Sequence, residues 1–125
     1  MIVSNFGYSK IMVVDDSALI RMLASDTIKS IMPDCSIVES ENGLEAVRKY
    51  AELQPEIVFM DIDMPMGDGF IGLNMIKDKH QNARIVMMTA DQREEIREKA
   101  AHLGAHGFLT KPFGREDIIG VLKEL

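Results

Sequence analysis

The chain has no tryptophan, one cysteine and four prolines in 125 residues. It also lacks an excess of basic charge and any long apolar run. Each shortage narrows what the protein can do. With Cys35 alone, no internal disulfide can form. Its neighbours Met32-Pro33-Asp34 and Ser36 include no base to activate a thiol. It therefore reads as structural filler, and its isolation suits a reducing cytoplasm. Fourteen Lys and Arg against 20 Asp and Glu leave a net charge of −6. That argues against direct nucleic-acid binding and against an anionic membrane surface. It favours a cationic partner or a bound cation. No stretch reaches the roughly 18 apolar residues of a membrane span. The opening Met1 to Lys10 lacks a basic start followed by an apolar block, so it is no secretion signal. Residues 1–9 read as a short, loosely held leader before a domain over residues 10–125.

What is present suits one domain with a core of its own. Ten methionines are many. Met22, Met60, Met75, Met87 and Met88 sit at strand or helix-spaced positions and are expected to fill the core. Apolar runs recur at Ile11–Val14, Ser36–Val38, Ile57–Met60, Ile85–Met88 and Gly107–Leu109. The first, third and fourth are continuous, as in strands covered on both faces. Segments of helical period separate them. Leu19, Ile20, Leu23, Ile28 and Ile31 mark the first face; Leu44, Val47, Tyr50 and Ala51 mark the second. Phe70, Leu73 and Ile76 mark the third, then Ile96, Ala100 and Leu103, then Ile118, Leu122 and Leu125. Ser17 and Asn42 are expected N-caps, and Pro33, Pro55 and Gly104 expected terminators. Strand and helix thus alternate five times. This pattern predicts an α/β domain, a doubly wound parallel sheet with helices on both faces.

In such a sheet, ligands bind beyond the carboxyl ends of the strands. Asp15 and Asp16 follow the first strand, Asp61 the third, Thr89 the fourth and Lys111 the fifth. Two carboxylates about 4 Å apart repel by roughly 4 kcal/mol at an effective dielectric near 20. Three are worse, and one lysine cannot neutralise them. Either a proton is held or a metal sits among them. An all-oxygen set selects Mg²⁺, Mn²⁺ or Ca²⁺ over zinc, and a small site that keeps waters favours Mg²⁺. An acid cluster with a lysine and a hydroxyl is equipped to bind a phosphoryl group. Asp61 is the candidate nucleophile, and Asp15 and Asp16 the candidate metal holders. His80, His102 and His106 fall off this rim and read as surface or packing residues. The Arg93–Lys99 run reads as a solvated helix face with i,i+4 pairs.

Four segments in order resemble the receiver domains of two-component response regulators. They are Ile11-Met-Val-Val-Asp15-Asp16-Ser17, Val58-Phe-Met-Asp61-Ile-Asp63-Met-Pro65 with Asp68-Gly69, Val86-Met-Met-Thr89-Ala90, and Phe108-Leu-Thr-Lys111-Pro112-Phe113. The resemblance covers about residues 10 to 125. It implies a flavodoxin-like (βα)5 fold, a single domain with strand order 2-1-3-4-5. It implies that Asp61 accepts a phosphoryl group from a sensor histidine kinase or a histidine phosphotransfer protein. The implied Mg²⁺ (with Mn²⁺ as a substitute) is bound by the Asp16 and Asp61 side chains and the Asp63 carbonyl, and by Asp15 through water. Lys111 would pair with phosphoryl oxygens, and its bond to Pro112 would be cis. Thr89 and Phe108 would be the switch, altering a target-protein surface on the fourth helix, fifth strand and fifth helix. The reading is a cytoplasmic signalling switch of the chemotaxis type, catalysing only its own phosphorylation and dephosphorylation. Dimerisation on phosphorylation is left open.

This sequence departs from the family at Gly67, where many relatives carry a larger apolar residue, so that loop is expected to be looser. Asp63 and Asp91 sit two residues beyond Asp61 and Thr89, where the family varies and phosphate lifetime is tuned. Three other readings compete. One is a receiver cut from a longer regulator with a DNA-binding or enzymatic output domain. Another is a small aspartate-nucleophile phosphatase resembling the haloacid dehalogenase superfamily. There, however, the nucleophile motif comes early and the acidic pair late. The last is a receiver-shaped module independent of phosphate, which the intact acid, hydroxyl and lysine set opposes.

Overall fold

A computed structural model describes residues 6–125. The chain alternates β1 (Lys10–Val14), α1 (Ala18–Ile31), β2 (Ser36–Ser40), α2 (Gly43–Leu53), β3 (Ile57–Asp61), α3 (Asp68–Lys79), β4 (Ile85–Thr89), α4 (Glu94–His102), β5 (Gly107–Thr110) and α5 (Arg115–Glu124). The strands form one parallel sheet in the order β2-β1-β3-β4-β5. This is the flavodoxin-like order that the resemblance implied.

β3 and β4 are buried along their whole length, and β1 from its second residue on. Their continuous apolar sequences are therefore the signature of strands covered on both faces. Successive side chains point to opposite faces. Ile11, Val13, Phe59, Val86 and Met88 pack with Ala24 and Ile28 of α1 and Ile118 and Leu122 of α5. Met12, Val14, Val58, Met60 and Met87 pack with Ala46 of α2, Leu73 and Ile76 of α3, and Ala100 of α4. Cys35 is buried, and burial pushes its thiol pKa up, as expected of filler.

Capping follows the sequence. The Ser17 hydroxyl accepts from the Ile20 N–H, and the Asn42 side chain from the Glu45 N–H. α1 stops before Pro33, α2 before Pro55, and α4 before Gly104, whose φ of +100° is the left-handed turn glycine permits.

The helix faces need correction. Leu19 and Leu23 are more than half exposed, and Leu44 is 70% exposed. The buried stripe of α1 is Ala24, Ile28 and Ile31, and that of α2 is Gly43, Ala46 and Tyr50. Small residues let these helices lie close to the sheet, which turns the larger leucines outward. Met60, Met87 and Met88 fill the core, but Met22 and Met75 lie on outer helix faces. The expected i,i+4 pairs of α4 are replaced. Arg93 pairs with Asp91 and Glu95, Arg97 lies over the Phe108 ring, and Lys99 over the Phe70 ring. His80 packs on Tyr50.

Of the expected leader, residues 1–5 lie outside the described residues. The remainder is held in place. Phe6 and Tyr8 pack against the core, and the Ser9 N–H, Ser9 hydroxyl and Lys10 N–H all donate to Glu56 Oε1. Gly67 ends a short 3-10 turn, Pro65–Gly67. The packing around it lies outside the described residues. No helix among the described residues is long and apolar enough to cross a membrane.

Candidate functional site

The carboxyl ends of β1, β3, β4 and β5 meet at one rim. Backbone ladder bonds fix each contributor there. The Asp15 N–H donates to the Ser40 carbonyl, the Ile62 N–H to Met88, and the Lys111 N–H to Thr89. The close fit of α3 adds to this. A Cβ on Gly69 would overlap the Asp61 carbonyl oxygen, so only glycine lets the first turn of α3 lie against the end of β3.

On this frame Asp15, Asp16 and Asp61 each present an oxygen, and the three atoms lie within 4.8 Å of one another. Asp15 and Asp61 are buried, and Asp16 is exposed. Lys111 Nζ bridges the two buried acids, 2.9 Å from Asp15 Oδ2 and 3.1 Å from Asp61 Oδ1. The Asp63 N–H also donates to Asp61 Oδ1, at 3.0 Å. Among the described residues no hydrogen bond reaches Asp61 Oδ2, the oxygen left available for a ligand. The Lys111–Pro112 bond is cis.

The electrostatics match this geometry. Burial, with the Asp15 charge adding to it, pushes the Asp61 carboxyl up to about 6 against the pull of the Asp63 N–H and Lys111. Burial alone would lower the Lys111 ammonium, but its bonds to Asp15 and Asp61 outweigh burial and hold it above its ordinary value. One lysine thus leaves the acids under-compensated. Three carboxylates of hard oxygen donors with surplus negative charge fit a small divalent cation.

The rim residues expected from the sequence are therefore brought together: Asp15, Asp16, Asp61, Thr89 and Lys111. Phe108 stands apart on β5, half-buried beneath the Arg97 guanidinium at 4.6 Å. Sequence reasoning missed three partners. Arg21 of α1 donates to the Asp15 carbonyl at 2.7 Å and pairs with Glu39. Asp68 accepts the Gly43 N–H and so caps α2 from α3. Above all, the Asp63 side chain takes the Thr89 hydroxyl at 2.6 Å and the Ala90 N–H at 3.0 Å. The resemblance had given Asp63 a backbone ligand role and a place where phosphate lifetime is tuned, but no bond to Thr89. The presence of a carboxylate two residues beyond Asp61 was the available signal, but its partner lies across the sheet.

A doubly wound sheet with carboxylates, hydroxyl and ammonium converging beyond its strand ends defines a single-domain α/β protein with an acidic rim suited to a divalent cation. The chain belongs to the response regulator receiver domain family, whose profile matches residues 11–123. It is 35% identical over 116 residues to the chemotaxis protein CheY of Halobacterium salinarum, covering 93% of this chain and 95% of that one. Its fold is similar to the structure of Vibrio cholerae CheY4, with a TM-score of 0.85 at 27% identity, covering 95% of this chain and all of the other. The CheX–CheY–BeF3–Mg²⁺ complex from Borrelia burgdorferi contains a chain similar to this one, with a TM-score of 0.84 at 29% identity, covering 91% of this chain and 86% of that one. This chain is thus a CheY-like signalling receiver.

Proposed function

We propose that Asp61 is the phosphoacceptor of a chemotaxis-type switch. The observation that carries this is Asp61 Oδ2, buried at the rim, free of hydrogen bonds among the described residues and flanked by Lys111. In the proposed step Oδ2 attacks the phosphorus of a phosphohistidine on a sensor kinase or phosphotransfer protein. The new O–P bond forms as the P–N bond breaks, and the departing imidazole takes up a proton. Asp16 and Asp61 would hold Mg²⁺ (or Mn²⁺) by side chain, Asp63 by its carbonyl, and Asp15 through water. When bound, the ion would neutralise charge on the acids and the transferred phosphoryl oxygens. Lys111 neutralises a further phosphoryl oxygen, and Thr89 donates its hydroxyl to another. The same groups would assist hydrolysis by water, so the protein catalyses only its own phosphorylation and dephosphorylation.

The readout follows from Thr89. When its hydroxyl turns to the phosphate, space opens beside β4, and Phe108 moves inward from beneath Arg97. That rearranges the groove formed by Arg97, Phe108, Val121 and Glu124 on the α4–β5–α5 face, where a target protein would dock. The Borrelia burgdorferi complex, in which a CheY chain occurs with CheX, BeF3 and Mg²⁺, supports a protein partner for this chain. The net charge of −6 argues against direct nucleic-acid binding. Its place of action is proposed to be the cytoplasm.

With Mg²⁺ and a small phosphodonor, the protein is expected to gain one hydroxylamine-labile phosphate, and Asp61→Asn to abolish it. An acid-labile, base-stable phosphate would locate the modification on histidine and overturn the reading.

A further inference from the structure

Thr89 is fully buried, and a buried hydroxyl needs partners. It has two: its proton goes to Asp63 Oδ1, and it accepts the Asp91 N–H at 3.0 Å. The other Asp63 oxygen takes the Ala90 N–H. One carboxylate therefore binds a hydroxyl and an adjacent main-chain N–H at the end of β4. Two convergent donors of this kind form a small anion cradle. The cradle lies beside the proposed phosphoacceptor, because Asp61 is in register with Met88, the residue before Thr89.

A threonine hydroxyl carries a single proton. It cannot serve Asp63 and a phosphoryl oxygen together. We propose that the Asp63 carboxylate is an internal occupant of this cradle, which a phosphoryl group on Asp61 must displace before Thr89 can respond. This deepens the phosphoacceptor reading and rests on it. Asp63 is then a positioning residue. It holds the switch in its unphosphorylated arrangement by supplying the anion that the cradle would otherwise take from outside. The apparent affinity for an external anion is reduced by the fraction of molecules in which the cradle is occupied. Asp63 is exposed on its outer side, so water can replace Thr89 and Ala90 once it is displaced. The exchange is therefore reversible rather than a lock. Like charge adds to the effect, since a carboxylate and a phosphoryl group compete for one small space.

The test measures binding of fluoroberyllate with Mg²⁺ to the full chain, in the wild type, Asp63→Ala, Thr89→Val and the double variant. Asp63→Ala keeps the backbone carbonyl and removes both acceptors. It is expected to bind fluoroberyllate at least about fivefold more tightly. Asp63→Asn, which cannot accept from Ala90 with its amide nitrogen, is expected to fall between. In the Thr89→Val background the gain should shrink, because the shared donor is gone. Amide exchange at Ala90, measured by NMR without any ligand, should speed up in Asp63→Ala. Unchanged exchange at Ala90, equal or weaker binding by Asp63→Ala, or an undiminished gain without the Thr89 hydroxyl would each overturn the proposal. The last of these would leave simple charge repulsion as the cause. Failure of the phosphoacceptor reading shows separately, as a wild type that binds no fluoroberyllate although Ala90 exchange responds to Asp63→Ala; the displacement proposal falls with it.

Discussion

Asp61 illustrates how a single side chain can be kept at a cost to stability. Folding raises its pKa from 3.8 to about 6, chiefly by burial. Between those values the native state holds a proton that the unfolded chain has lost. The resulting stabilisation is fully present below the unfolded pKa and is lost as pH rises through about 6. Two pKa units set a ceiling of about 3 kcal/mol, with the pull of Lys111 on the ionised form already included, and solvent at the rim screens part of it. In EDTA at about pH 7.5, Asp61→Asn is expected to be more stable than wild type by about 1–2 kcal/mol in urea unfolding, with the gain vanishing near pH 4. Coincident urea curves at both pH values would contradict the assignment. At this scale the sequence was informative about residue type and position. Asp15, Asp61, Thr89 and Lys111 were legible because each directly ends a strand. The Asp63 side chain was not, since its bonds to Thr89 and Ala90 span two strands. No local pattern encodes a contact of that range.

Elements are placed by small residues as much as by large ones. Gly69 lets α3 rest on the end of β3, and Gly72, one turn further along α3, faces Met60 of β3. Adding a methyl at 69 must push α3 away from the Asp61 carbonyl or distort the rim. Gly69→Ala is therefore expected to cost about 1–3 kcal/mol in thermal or denaturant unfolding and to weaken Mg²⁺ binding with it. An alanine variant with wild-type stability would mean that α3 can shift freely. The sequence placed all five helices and the N-caps of α1 and α2, because Ser17 and Asn42 are local signals. It placed Ile28, Ile31 and Tyr50 correctly but took Leu19, Leu23 and Leu44, which face outward, as part of the same faces. Which part of an apolar helix face meets the sheet depends on how close the backbones come. Ala24, Gly43 and Ala46 decide that, and small residues carry little hydrophobic signal of their own.

For the whole molecule, the net charge of −6 and the concentration of acids at one rim point to linkage with cations. Mg²⁺ binding only to the folded rim stabilises by RT ln(1 + [Mg²⁺]/Kd), about 1.4 kcal/mol at ten times Kd. The Tm is expected to rise by several degrees on adding Mg²⁺, and EDTA to reverse it. Asp16→Ala should remove most of that rise, whereas an exposed acid far from the rim, such as Glu98, should not. Equal Mg²⁺ responses from both variants would place the cation elsewhere.

The sequence by itself determined the alternation of strand and helix, and hence a parallel sheet with its ligands at the carboxyl ends. Period, caps and continuous apolar runs are local properties, and the side on which such a sheet binds ligands follows from its topology. It also determined the chemistry of the rim, because the residue ending each strand is fixed once the strands are known. Only the tertiary structure decided how those groups pair. It gave Lys111 to both Asp15 and Asp61, left Asp61 Oδ2 open, and committed the Thr89 proton to Asp63. Those pairings are set by distances between strands far apart in the chain, which no spacing along it records.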